Sequence, residues 1–128
     1  MLAMAALVAA AGTAPPSIAG GWVNPARSVT VAIAPCGDEY CGTVEWASDK
    51  AAADARRGGT DPLVGTRLFT RLAPKGDRRW AGRVFVPDIN KTSRATLSLV
   101  APDRLKVTGC AVGGLLCKSQ LWTRAEPR

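Results

Sequence analysis

Two close cysteine pairs constrain the fold of this 128-residue chain more than any other feature. One pair bounds the stretch Cys36-Gly-Asp-Glu-Tyr-Cys41, and the other bounds Cys110-Ala-Val-Gly-Gly-Leu-Leu-Cys117. Each encloses turn-forming or small residues between segments of alternating hydrophobicity, a pattern typical of a disulfide across a β-hairpin or a bend. Four cysteines allow three connectivities, and cross-strand neighbours lie at the Cα separation that a disulfide needs. We therefore predict the local pairing Cys36–Cys41 and Cys110–Cys117.

A zinc site with four thiolate ligands is the alternative use of these cysteines. Its usual intervals of about two to four residues fit the first pair and not the second. Disulfides instead place the protein in an oxidising compartment and remove all four thiols from the candidate catalytic groups. Because each closed loop is short, we expect each disulfide to stabilise the fold by about 2 kcal/mol.

The rest of the chain has the pattern of short strands. Segments such as 28–34 and 94–100 alternate apolar and polar residues, and turn residues separate successive segments. Roughly eight such strands, at a spacing of about 8–12 residues, predict an all-β sandwich or barrel, and closure would remove exposed edges. On one of them, Leu68 and Phe69 are expected to face opposite sides. Residues 48–57 form the one helix-like stretch, with Ser48 as its cap and Gly58 at its end.

The N-terminal residues have the features of a signal peptide. Residues 1–11 are a continuous apolar run that ends in small residues, too short for the ~20 residues that span a bilayer. We predict a signal peptide over residues 1–14, cleaved near Ala11 to Ala14, and one β-barrel domain over residues 15–128. The mature protein is expected to be a periplasmic or secreted monomer with no membrane span.

The charge balance is basic, with 17 Lys and Arg against 10 Asp and Glu and a formal net charge of +7. The positive charges are mostly scattered singly, and the only basic doublets are Arg56-Arg57 and Arg78-Arg79. Scattered charge favours a solvated surface over a nucleic-acid-binding stripe. A basic protein also suits work near anionic envelope polymers or lipids.

The composition offers few catalytic groups. The chain contains no histidine, which excludes Ser–His and Cys–His nucleophiles and any histidine-ligated metal. The carboxylates lie mostly in turn-like segments, where an Asp side chain usually bonds its own backbone. We therefore expect a non-enzymatic protein with no catalytic residues, metal or cofactor, although carboxylate chemistry stays open.

The four tryptophans are the most informative large side chains. In a closed barrel the first and last strands are neighbours, so Arg124 stacked on the indole of Trp22 would seal one end. The alternative is that Trp22 or Trp122 lines a ligand-binding mouth. Trp46, Trp80 and Trp122 are candidate ligand-lining residues.

Several stretches resemble one bacterial family. They are Gly21-Trp22, residues 36–42, residues 55–65, residues 80–87 and residues 105–124, which ends in Gln120-Leu-Trp-Thr-Arg124. Together they resemble the bacterial domain-of-unknown-function family 2147, small exported proteins with a lipocalin-like barrel. The resemblance implies a lipocalin- or calycin-like closed barrel of about eight strands. It implies no reaction or catalytic residue, and it supports the sealing role of Trp22 and Arg124.

Two functions follow as hypotheses. The first is binding of a small apolar or envelope-derived ligand inside the barrel. The second is a protein-interaction module, such as an inhibitor or partner of an envelope enzyme, that uses the rim loops 60–64 and 87–91. The candidate rim residues are Arg56, Arg57, Asp61 and Asp88. In the second hypothesis Arg56, Arg57, Arg78 and Arg79 would form a basic rim that meets an acidic cleft.

Overall fold

The fold consists of eight strands and one helix. The computed structural model describes residues 17–111 and 116–125. Its elements are β1 (Gly20–Val23), β2 (Val29–Cys36), β3 (Glu39–Ala47), α1 (Asp49–Arg57), β4 (Arg67–Pro74), β5 (Arg79–Val86), β6 (Lys91–Ala101), β7 (Arg104–Ala111) and β8 (Leu116–Arg124).

The eight strands form one closed antiparallel barrel. Each strand pairs with the next in the chain, and β8 pairs back with β1, where Trp22 opposes Arg124 and Val23 opposes Thr123. Closure satisfies backbone groups that an open sheet would leave at its edges. The prediction of a closed all-β barrel with one short helix is confirmed.

Alternating side chains build the core. On β6, Ala95, Leu97 and Leu99 are all buried, and on β2 Val31 and Ile33 are buried in the same way. This is the period of two expected for strands with one face toward the barrel interior. The interior faces of the strands therefore form one core cluster, which includes three of the tryptophans, Trp22, Trp80 and Trp122.

The helix begins and ends as the sequence predicts. The hydroxyl of Ser48 accepts a hydrogen bond from the amide of Ala51 at 3.1 Å, which satisfies one of the first-turn amides. The helix ends at Arg57, and the amide of Gly58 closes its last turn. Ala55 is fully buried against the barrel. The short helix therefore lies over the barrel rather than projecting from it.

The barrel has two distinct ends because its strands alternate in direction. We define the open end as residues 24–28, 48–66, 86–91 and 116–118, which join or flank strands on one side. The turns at residues 37–38, 75–78 and 102–103 lie at the other, closed end. Both predicted disulfides are confirmed: Cys36–Cys41 lies at the closed end, with a Cα separation of 5.6 Å, and Cys110–Cys117 at the open end, with 4.1 Å.

The predicted signal peptide, residues 1–14, lies outside the described residues. Within residues 17–111 and 116–125, no helix has the length and apolar character needed to cross a bilayer.

Candidate functional site

Arg124 holds the closed end of the barrel together. Its guanidinium lies 4.1 Å from the ring centroid of Trp22, a cation–π arrangement. Three of its nitrogens also donate to backbone carbonyls, with Nη1 bonding Ala19 at 2.7 Å, Nη2 bonding Ser17 at 2.8 Å and Nε bonding Pro102 at 3.1 Å. One planar side chain thus joins the last strand to the lead-in segment and the β6–β7 turn.

The side chain of Trp22 fills the barrel interior beneath the Arg124 guanidinium. Its side chain is fully buried, and its indole Nε1 donates to the carbonyl of Ile18 at 2.9 Å. Ile18 is also fully buried. Among the described residues, Trp22, Ile18 and Arg124 therefore fill and cover this end of the barrel.

Two adjoining cavities occupy the open end. The helix-side cavity has a volume of about 560 Å³ and extends between the β1–β2 loop, α1 and β8. The strand-side cavity has a volume of about 510 Å³ and extends between β5, β6, β7 and β8. Both are lined by Leu68, Val86, Pro87, Gln120 and Trp122. These shared walls make the two cavities parts of one mouth, and each volume lies in the range of small-molecule sites.

Aromatic rings form the floor of this mouth. Phe69 and Trp122 meet edge to face, with ring centroids 5.5 Å apart and planes at 65°. The ring of Phe69 fits because residue 42 is glycine: a Cβ there would lie 2.8 Å from the Phe69 ring and 2.9 Å from Val31. A side chain at residue 42 would therefore displace the Phe69 ring or Val31.

A β-bulge adds Leu68 to the same wall. Gly42 opposes Phe69 and Thr43 opposes Arg67, so Leu68 is an extra residue on β4. A bulge turns a side chain away from its regular alternation. Leu68 and Phe69 are both buried and both line the mouth. The expectation that they face opposite sides of the strand is wrong, because strict alternation does not survive a bulge.

Few polar groups face the strand-side cavity. Trp122 Nε1 donates to Gln120 Oε1 at 3.0 Å, which orients the Gln120 amide nitrogen as a remaining donor. Ser93 and Lys118 also line this cavity, within a wall that is otherwise mainly apolar. A few polar groups in an apolar wall can orient a ligand whose bulk is apolar.

The C-terminal end of α1 is attached to the rim. A Cβ on Gly58 would lie 2.0 Å from the carbonyl oxygen of Asp88, so only glycine allows this approach. The hydroxyl of Thr60 donates to the carbonyl of Pro87 at 3.0 Å. These contacts fix the β5–β6 loop against the helix at the side of the mouth.

A charged cluster on α1 borders the helix-side cavity. Lys50 Nζ donates to Asp54 Oδ2 at 2.9 Å, and Arg57 also donates to the Asp54 carboxylate. The hydrogen bond from Lys50 lowers the pKa of Asp54, and the charges of Lys50 and Arg57 add to this against the opposing effect of desolvation. The carboxylate therefore stays ionised at neutral pH and is engaged within its own helix.

Only some of the predicted site residues line the two cavities. Trp122 is only 4% exposed and lines both cavities, whereas Trp80 lies in the core and Trp46 is half-buried outside the cavity walls. Asp88 lines the helix-side cavity, and Asp61 is exposed beside the mouth. Arg56 and Arg57 are exposed in the last turn of α1.

The predicted basic rim is not one surface. Arg56 and Arg57 lie at the open end, but Arg78 lies in the β4–β5 turn and Arg79 begins β5, both at the closed end. Successive connections of an up-and-down barrel lie at alternate ends, and this separates the two doublets. The hypothesis of a single basic rim made from all four arginines is wrong.

Sequence reasoning missed several mouth residues on β8. Leu116, Lys118 and Gln120 follow the same alternation as Trp122 and line the strand-side cavity with it. Because every second residue of a strand faces the same side, the position of Trp122 could have predicted all three. Phe69 and Leu68 had no such signal, because their joint placement depends on the bulge.

Comparison with known proteins gives one family and one related structure. The family described as "Uncharacterized protein conserved in bacteria (DUF2147)" matches residues 20–124. No curated protein matches the chain significantly. Among solved structures, the chain is similar to protein HP1028 from the human pathogen Helicobacter pylori, described as belonging to the lipocalin family. The TM-score is 0.64, with 13% identity over 86% of this chain and 84% of that one. At this identity the likeness establishes the fold.

Proposed function

The chain belongs to the bacterial DUF2147 family of uncharacterised proteins, and from its lipocalin-like barrel we propose that it binds an apolar small molecule at the open end. The main support for this proposal is the pair of adjoining cavities that form the mouth at the open end. One end of the barrel is covered by Arg124 and Trp22, and the other holds cavities of about 560 and 510 Å³. Trp122 lines both cavities, and Phe69 lines the smaller one.

The chemistry of the wall supports an apolar ligand with one polar group. Apolar side chains make up most of the strand-side wall, and burial of apolar ligand surface there supplies the driving force. The Gln120 amide and the Lys118 ammonium then offer hydrogen-bond donors to an acceptor on the ligand.

The proposed role is non-enzymatic. All four cysteines are in disulfides and the chain has no histidine, so the usual nucleophile and base pairs are missing. Of the carboxylates beside the mouth, Asp54 is engaged by Lys50 and Arg57. A ligand incubated with the protein is therefore expected to be recovered chemically unchanged, as mass spectrometry would check.

The proposed compartment is the periplasm or the exterior of the cell. Two disulfides in a small barrel support it, because such bonds persist in oxidising environments.

Titration with N-phenylnaphthylamine, an uncharged apolar fluorophore, tests the ligand site. Its emission should rise in the cavity and saturate at one probe per protein. Replacing the half-buried Ser93, which lines the strand-side cavity, by phenylalanine fills that space. Ser93→Phe should lower probe affinity at least ~10-fold, which corresponds to about 1.4 kcal/mol.

The matched control is Thr92→Phe on the same strand. Thr92 is exposed and is the sequence neighbour of Ser93, so its side chain points to the opposite face. This variant should bind the probe like the unmodified protein. An unmodified protein that gives no saturable emission, or equal losses in both variants, would refute the proposal.

A further inference from the structure

The exposed apolar side chains of the barrel are concentrated at one end. Within the described part of the chain, six large apolar residues are exposed. Four of them belong to the open end: Val64 at 49%, Val86 at 36%, Ile89 at 59% and Leu116 at 66%. The other two, Val100 and Leu121, lie along the outer wall on β6 and β8. Scattered exposed apolar residues need no explanation, but a cluster at a single end does.

Three of these four residues line the mouth, and the fourth lies beside it; we call the four the apolar rim. Val86, Ile89 and Leu116 all line the strand-side cavity, which connects them across β5, the β5–β6 loop and β8. Val64 lines a shallow cleft with Phe85 and Asn90, on the other side of the same loop. The apolar rim is therefore continuous with the apolar interior of the mouth.

Charged side chains of both signs, with basic ones in excess, flank these apolar residues. Within the open end as defined above, six residues are basic: Arg27, Lys50, Arg56, Arg57, Lys91 and Lys118. Four are acidic: Asp49, Asp54, Asp61 and Asp88. The difference is a net charge of +2. Asp54 is already engaged by Lys50 and Arg57, and Lys50 is 84% exposed. The rim thus combines exposed apolar side chains with a border of small positive net charge.

A partner that fits both properties has an apolar interior and an anionic surface. We propose that the open-end rim docks reversibly on an anionic lipid bilayer, with Val64, Ile89 and Leu116 entering its outer layer. Apolar burial and attraction between basic side chains and acidic headgroups act together in this kind of binding. A second copy of the chain fits less well, because it would bring two positive rims together. The proposal goes beyond ligand binding, since docking uses the exposed parts of residues at the mouth and does not require an occupied cavity.

Vesicle co-sedimentation tests the docking. The full chain is mixed with vesicles of phosphatidylglycerol and phosphatidylcholine in equal parts, or of phosphatidylcholine alone. It should partition onto the anionic vesicles, weakly onto the neutral ones, and less as salt is raised. The double variant Ile89→Ser/Leu116→Ser should lose at least ~10-fold of the partition coefficient, because two apolar side chains no longer enter the lipid.

The matched control is Val100→Ser/Leu121→Ser, which removes two exposed apolar side chains outside the open end, at 53% and 43% exposure. It should sediment like the unmodified protein. A charge pair gives an independent readout: Arg56→Gln/Lys91→Gln should weaken anionic binding several-fold, whereas Arg78→Gln/Arg79→Gln at the closed end should change it less. Thermal melting of each variant confirms that it folds.

Three outcomes would overturn the docking proposal. They are equal partition onto neutral and anionic vesicles, equal losses in the two serine variants, and self-association in sedimentation velocity that the Ile89→Ser/Leu116→Ser variant abolishes. The last would make the rim an interface between copies. Because the probe titration contains no vesicles, failure of docking and failure of ligand binding are distinguished.

Discussion

At the scale of the residue, Thr30 is a polar side chain whose placement opposes stability. It is 4% exposed on β2, between Val23 on β1 and Trp46 on β3. Its hydroxyl oxygen is fully buried and has no hydrogen-bond partner among the described residues. A buried hydroxyl without a partner retains its desolvation cost.

Thr30→Val is therefore expected to stabilise the protein. Valine has nearly the same shape and removes the hydroxyl, which should raise the free energy of unfolding by about 1 kcal/mol and the melting temperature by ~4 °C. Urea denaturation and calorimetry measure both. Thr30→Ser keeps the hydroxyl and removes the methyl group, so it should destabilise. A Thr30→Val protein that melts below the unmodified one would mean that the hydroxyl is satisfied.

At the scale of the element, the two disulfides clamp hairpins at opposite ends of the barrel. Cys110 and Cys117 oppose each other across β7 and β8, next to the cavity-lining residues Gly109, Leu116 and Lys118. Cys36 and Cys41 join β2 and β3 near the closed end and line neither cavity. The Cys110–Cys117 disulfide therefore lies beside the proposed ligand cavity, whereas the Cys36–Cys41 disulfide does not.

Removing each disulfide by serine substitution separates stability from binding. Cys36→Ser/Cys41→Ser and Cys110→Ser/Cys117→Ser should each lower the free energy of unfolding by about 2 kcal/mol, since both loops are short. Only the second variant should also weaken binding of N-phenylnaphthylamine, because it loosens the β7–β8 wall of the cavity. Urea denaturation and probe titration below the melting temperature make the comparison. Equal probe affinity in the two variants would contradict it.

At the scale of the whole molecule, closure of the barrel depends on a short seam. The strand β1 has four residues, and only Trp22 and Val23 pair with β8. The guanidinium of Arg124 reinforces this seam through Trp22 and three backbone carbonyls. A backbone bond from Ala125 to Gly21 at 2.9 Å extends it by one residue.

Loss of the Arg124 guanidinium should weaken the whole barrel. Arg124→Lys keeps the charge but not the planar fork, so it should lower the free energy of unfolding by roughly 2 kcal/mol, and Arg124→Ala by more. Arg104→Lys provides the control, because Arg104 is exposed at the start of β7. Urea denaturation followed by tryptophan fluorescence reads global unfolding. If the Arg124→Lys and Arg104→Lys variants have the same free energy of unfolding, the β1–β8 pairing does not depend on the guanidinium of Arg124.

Local features of this protein were predictable because they depend on residues close in the chain. The disulfides Cys36–Cys41 and Cys110–Cys117 each join two ends of one hairpin, and the cap at Ser48 needs only the amide of Ala51. The alternation of Ala95, Leu97 and Leu99 indicated a strand with one buried face. The number and spacing of the strands predicted a sandwich or a barrel, and the family resemblance implied that the barrel is closed.

Tertiary structure alone decided where the mouth lies and what lines it. The extra residue at Leu68 arises from how β3 pairs with β4, and the contact between Phe69 and Trp122 joins two strands far apart in sequence. The separation of Arg56 and Arg57 from Arg78 and Arg79 follows from alternating connections. The sequence by itself determined a series of short strands with two local disulfides, since periodicity and turns are local. The open cavity and its apolar, basic rim required the fold, because they are made by residues that only barrel closure brings together.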